Sequence, residues 1–360
     1  MYKKGLIIFF VAVLALSLAA CGKDGHQQSS DHKGKLDVKT TVYPLKSFAQ
    51  QIGGKYVNVE SVYPKGVDPH TYDPSQKQMV DIGKSDLFLY TGDNLDPVAK
   101  KIAKAINDKD KTLSLESALD KNKDLLKGEE HEHEHGEDHE HGEAHEDEHE
   151  HEHHHHGKYD PHIWLDPVVS QKFAKAIKDE LVEKDSKHKS YYEKNYKQLV
   201  KELKDLDKDM KHAVKGNEDK TVYISHDSIG YLAERYHFEQ EGIENMNAEE
   251  PSQKDLTNIV KQIKEDKVKN ILIEENVSHK VADTVRKETN AKTIQFYNMG
   301  SHTKQQDDDN NTYQSFMKKN IKAIEKALKN ESINQNYRKD DTKETLTEMI
   351  CSDVEVFSID

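Results

Sequence analysis

The chain has 360 residues, of which 34% are hydrophobic and 33% charged, so a sizeable part of it must lie outside any apolar core. Its net charge of −14 is local: Glu129 to His156 holds 13 Asp and Glu and no Lys or Arg, and the remainder is close to neutral. No basic surplus exists to neutralise phosphates, which excludes nucleic acid as a partner, and the length allows two domains of about 150 residues each.

Residues 1–21 read as an address. Lys3 and Lys4 precede an apolar run from Leu6 to Ala20, short for a membrane span and suited to a signal peptide. The run ends Leu18-Ala19-Ala20-Cys21-Gly22, which resembles a bacterial lipobox, so cleavage would leave Cys21 lipidated outside the cytoplasm. An ordinary signal peptide is the alternative. A cysteine at that place, in a chain with two, favours the lipoprotein and leaves Cys351 without a disulfide partner. Residues 22–35 are polar and form a flexible tether.

From Leu36 the pattern becomes that of an α/β lobe, residues 36–167. Strands are expected at 36–42, 56–62, 87–90 and 112–115, and helices at 44–52, from Ser75 through Ile82, and at 96–106. Alternation of this kind predicts a parallel sheet whose ligand site lies in loops beyond the strand ends. Val67-Asp68-Pro69-His70 lies in such a loop.

Residues 129–157 cannot bury enough surface to order themselves and are expected to form a loop. Acids there need no explanation beyond solvation, but twelve imidazoles do: His131, His133, His135, His139, His141, His145, His149, His151, His153, His154, His155 and His156. Imidazole and carboxylate together suit Zn²⁺, Cu²⁺ or Ni²⁺, so the loop reads as an auxiliary sponge for several weakly held ions. An expression tag is a rival only for residues 153–156.

Tyr159-Asp160-Pro161-His162-Ile163-Trp164-Leu165-Asp166-Pro167 follows, with the only tryptophan of the chain. Proline stiffens the backbone on both sides of His162 and presents it on a non-helical turn. A lone histidine there would be structural. A second Asp-Pro-His at 68–70 makes a metal site the better reading. Helices are expected at 170–183 and 188–214, the second about 40 Å long and able to bridge two lobes, with His188 and His212 on its solvated side. Residues 168–215 therefore form the connection, and 216–329 a second α/β lobe with strands at 220–225, from Phe238 toward Gly242, 268–274 and 293–296. Its helices are expected at 230–236, after Ser252, at 278–289 and at 312–328. His226 stands just past the first of these strands. Residues 330–360 form a polar tail of no assigned structure.

The Asp68-to-Ser75 run, the 160–167 run and Ser225-His226-Asp227-Ser228-Ile229-Gly230-Tyr231 resemble the cluster A-I metal-binding lipoproteins, the solute-binding subunits of zinc and manganese ABC importers. The resemblance extends from the lipobox to about Lys329 and is strongest to the zinc branch, the ZnuA-like and AdcA-like proteins. It implies two lobes joined by a rigid backbone helix with metal in the cleft. It further implies His70, His162 and His226 as ligands of a transported Zn²⁺, an importer permease and its ATPase as partners, and a lipid-anchored, monomeric, extracytoplasmic carrier. The manganese branch places a carboxylate where His226 stands. The fourth ligand, an acid in many members, aligns with Gly300, so water, or else His302, would complete the set. Asp160, Asp166 or Asp227 would orient the imidazoles from behind, and Glu274 is a weaker ligand candidate that more simply ends a strand. Three imidazoles and a water also describe catalytic zinc. No HExxH helix or spaced general base accompanies them, so a carrier rather than a hydrolase is expected, with a metal buffer without an importer as the remaining reading.

Overall fold

The computed structural model describes residues 34–67, 69, 72–127, 159–274, 279–301, 303 and 311–330. The expectations placed on Cys21, His70, the twelve-histidine stretch, His302 and residues 331–360 lie outside them. The chain divides at Gly34/Lys35, and the fold is that of the unit beginning at Lys35.

The first lobe runs β1 (Leu36–Thr40), α1 (Tyr43–Gly53), β2 (Val57–Ser61), α2 (Gln76–Gly83), β3 (Leu87–Tyr90), α3 (Pro97–Ile106) and β4 (Thr112–Ser114). All its strand pairs are parallel, in the order β2-β1-β3-β4. Leu87, Phe88, Leu89 and Tyr90 are all buried, as a strand covered on both faces requires. Helix starts are set by local chemistry. Ser75 forms a reciprocal capping box with Gln78, and Asp96 accepts from the Ala99 amide ahead of Pro97.

A 3₁₀ turn, Ile163–Leu165, leads into α4 (Pro167–Lys184) and α5 (Lys189–Val214). With 26 residues, α5 is about 39 Å long. Tyr192, Leu199, Leu203, Leu206 and Met210 form its buried stripe. It serves both lobes: Asn195 donates to the Ile52 carbonyl of the first (3.0 Å), and Asp207 accepts from Tyr236 of the second (3.0 Å). His188 departs from expectation. Rather than lying on a solvated face, it stacks on Tyr56 (centroids 3.6 Å) with its Nδ1 on Asp185 (2.5 Å), whereas His212 is exposed.

The second lobe comprises β5 (Thr221–His226), α6 (Gly230–Tyr236), β6 (Glu239–Glu244), α7 (Gln253–Glu265), β7 (Asn270–Glu274), α8 (His279–Thr289), β8 (Lys292–Phe296) and α9 (Tyr313–Leu328). Its sheet repeats the winding of the first, β6-β5-β7-β8, again all parallel. The winding direction reverses between β5 and β7, and in open sheets of this kind the crevice outside the strand ends at that reversal receives ligands. His226 and Glu274 are the last residues of those two strands. No helix among the described residues is long and apolar enough to cross a membrane.

Candidate metal centre

β5 pairs with β7 through Ile224 and Leu272, so two residues further along the strand ends set His226 beside Glu274. His226 Nδ1 is bonded to Glu274 Oε2. The other oxygen, Oε1, accepts from Ser228 Oγ (2.6 Å) and Asn298 Nδ2 (2.8 Å). Glu274 is fully buried and His226 is 2% exposed. This carboxylate is affordable in the interior because positive or N–H/O–H donors meet both of its oxygens.

His162 reaches the same point from the 160–167 turn. Asp160 Oδ1 accepts both the backbone N–H of His162 (2.9 Å) and its ring Nδ1–H (2.8 Å), which fixes the ring through two bonds. The indole of Trp164 packs edge-on against that ring (5.5 Å) and donates to the Asn298 carbonyl (2.8 Å). The two imidazoles then face each other, with Nε2 of His162 and Nε2 of His226 3.2 Å apart. Two nitrogens bound to one Zn²⁺ at about 2.0–2.1 Å and tetrahedral angle stand about 3.3–3.4 Å apart. The pair is therefore preset close to the separation a tetrahedral ion demands.

Each Nδ1 meets a carboxylate, which leaves both Nε2 atoms turned to the same point. Burial works against an imidazolium at His226, but Glu274, with Asp227 and Asp160 adding their charge, outweighs it and raises the group above its ordinary value. Burial alone would likewise raise Glu274, yet His226, Ser228 and Asn298 together hold it below the usual carboxylate range.

Two acids expected behind the imidazoles are engaged elsewhere. Asp166 caps α4, Oδ1 accepting from the Val168 amide (2.7 Å), while Oδ2 pairs with Arg235 Nε (2.5 Å). Asp227 lies over Gly242 of β6, with its amide on the Glu244 carbonyl, and adds its charge at His226. Sequence reasoning ranked Glu274 as a strand end; its role at His226 Nδ1 comes from the strand order, which no local pattern announces.

The loop after β8 closes the other side. Met299 adopts a left-handed conformation (φ +62°), at a cost of about 1–2 kcal/mol for a side-chain-bearing residue. Gly300 follows, its amide donating to Asn298 Oδ1 (2.9 Å). A Cβ on Gly300 would stand 2.7 Å from that oxygen, 3.3 Å from Trp164 and 3.7 Å from the ring of Pro69. The chain neighbour of His70 thus lies against the same loop. Tyr72, on the far side of that corner, is held by Gln78 (2.6 Å) and packs edge-on to Tyr63. Among the described residues, no group of three or more His, Cys, Asp and Glu is set to hold an ion.

Residues 38–327 match a family model described as zinc-uptake complex component A, periplasmic. Over 330 residues the chain is 36% identical to the high-affinity zinc uptake system protein ZnuA of Bacillus subtilis, which covers 91% of this chain and 99% of that protein. It is 32% identical to the zinc-binding lipoprotein AdcA of Streptococcus pneumoniae over 91% of its own length but only 62% of that longer protein. The solved Zn(II)-bound ZnuA-like domain of Streptococcus pneumoniae AdcA aligns with a TM-score of 0.65 at 29% identity, over 82% of this chain and 99% of the other.

Proposed function

Because the chain belongs to the family of periplasmic zinc-uptake components, we propose that it captures Zn²⁺ outside the cytoplasm and delivers it to an ABC importer. The observation that carries this reading is the opposed pair of buried imidazoles, each backed by its own carboxylate, at a spacing that suits a tetrahedral ion. Imidazole at 226 in place of a carboxylate favours Zn²⁺ over the harder Mn²⁺. His70 is the third ligand in this proposal, supported by the approach of Pro69 to the Gly300 loop. A water, or else His302, would be the fourth. Cys21 would carry the lipid anchor, the twelve-histidine stretch would collect ions nearby, and the permease with its ATPase would receive the cargo.

The ion would sit between the rings and take one Nε2 lone pair from each. No bond of a substrate is made or broken; the protein binds, orients and releases. Calorimetric titration of His226→Ala with Zn²⁺ tests the reading. The loss of affinity should exceed the roughly 10–100-fold that a supporting residue costs, and an unchanged affinity would refute the site.

A further inference from the structure

Two ligating rings brought from separate segments need something that fixes one segment against the other. His226 ends β5, and α6 begins four residues later at Gly230. Tyr231 and Arg235 are four apart on that helix and so share a face. Both bond the turn that carries His162. The Tyr231 hydroxyl donates to the Asp160 carbonyl (2.8 Å), and Arg235 Nε bonds the Asp166 carboxylate (2.5 Å). One contact therefore grips the start of the 160–166 turn and the other its end, with His162 between them. The same Tyr231 oxygen accepts the Leu126 amide (3.2 Å), so it also joins the two backbone segments that flank residues 128–158. Gly230 lets the helix come this close, since a Cβ there would stand 2.9 Å from Asp160 Oδ2.

We infer that Tyr231 and Arg235 are positioning residues, which hold His162 at ligating distance from His226 and so set the tightness with which the centre grips its ion. The inference rests on the zinc-binding reading above. Each side chain acts through Asp160 or Asp166, and α6 carries the position of His226 across to His162. Losing either grip lets the turn relax, widens the 3.2 Å spacing and leaves the ion to recover the geometry at its own expense.

Tyr231→Phe and Arg235→Met, measured by Zn²⁺ competition against a chromophoric chelator, should each weaken binding about 10-fold, the scale found for partners that orient metal ligands. The visible spectrum of the Co²⁺-loaded protein should change in both, because band position and intensity follow ligand geometry. Arg235→Lys should recover part of the affinity. Tyr236→Phe is the control: it deletes the hydroxyl contact of an equally buried tyrosine on the same helix, to Asp207 rather than to the turn, and should lower the melting temperature while sparing affinity and spectrum. His226→Ala, run alongside, separates the two claims. If it loses tight binding while Tyr231→Phe and Arg235→Met keep wild-type affinity and Co²⁺ spectrum, the positioning role is wrong and the zinc site stands. If Tyr236→Phe weakens binding as much as Tyr231→Phe, the effect is general destabilisation and the inference falls. If His226→Ala binds as wild type, both claims fall. Should Arg235→Met not fold, Tyr231→Phe, which removes a single oxygen, decides alone.

Discussion

Nε2 of His162 and Nε2 of His226 meet at 3.2 Å although 64 residues separate them along the chain. Each Nδ1 faces a carboxylate, and Zn²⁺ binding through Nε2 requires that nitrogen to be free of its proton. His226 lies above its ordinary value, so its imidazolium is fully formed at low pH and loses its proton as pH rises through the His226 titration. Affinity should therefore fall by at least tenfold per pH unit well below that titration, with at least one proton released per ion bound there. Calorimetry in buffers of different ionisation enthalpy counts the proton directly, and a release near zero would contradict the arrangement.

Glu274→Gln removes the charge behind His226 while keeping an oxygen for Ser228 and Asn298. Zn²⁺ affinity should drop by roughly 10–100-fold. His226 should titrate lower than in the parent protein, because the burial that disfavours its charge is then less opposed. Chelator competition gives the first quantity and NMR titration of the imidazole the second. Unchanged titration of His226 would show that Glu274 does not govern it.

Asp96 provides a second pH signature, through stability rather than binding. Burial pushes its carboxyl up to about 6 against the bonds from Ala99 and Tyr63 that favour the charged form. The folded state thus binds more protons than the unfolded chain between about pH 4 and 6. This contribution is complete below the unfolded value and is lost as pH rises through the folded one. Asp96→Asn cannot titrate. Its urea-unfolding free energy, relative to wild type, should therefore improve between pH 4 and pH 7 by on the order of 2–3 kcal/mol. A difference that stays flat with pH would exclude the shift.

Gly300→Ala adds a methyl where Asn298 Oδ1 and Trp164 already stand within 3.3 Å. Overpacking of this kind costs about 1–3 kcal/mol. As Trp164 is the only tryptophan, its fluorescence should report both the earlier unfolding and the disturbed surroundings of His162. Wild-type melting and an unaltered emission maximum would mean the loop yields without cost.

Most of the architecture could be read in the chain. Alternating apolar residues and Ser, Asp or Pro at helix starts place the strands and helices, with ends displaced by up to three residues: the helix expected from 170 begins at Pro167, and the strand expected to stop at 225 ends at His226. The wiring behind the imidazoles was not legible, for two reasons. Asp227 is adjacent to His226 in sequence, but successive side chains on an extended segment point to opposite sides, and Asp227 turns toward Gly242 instead. Glu274 is 48 residues from His226 and becomes its partner only because β7 follows β5 in the sheet. Asp166 carried a readable signal that pointed elsewhere: an aspartate before a proline before a helical run is an N-cap, and it caps α4. His188 escaped because stacking on Tyr56 is a tertiary contact across 132 positions.

Lys127 and Tyr159 form an isolated antiparallel bridge, and the Asp160 amide donates to the Leu126 carbonyl beside it (3.0 Å). Whatever sequence lies between enters and leaves through that single clasp, three residues from His162. The clasp makes this the natural splice point for engineering: a fluorescent module inserted between 128 and 158 would be tethered at both ends beside the ion, and its emission would serve as an optical gauge of cargo capture.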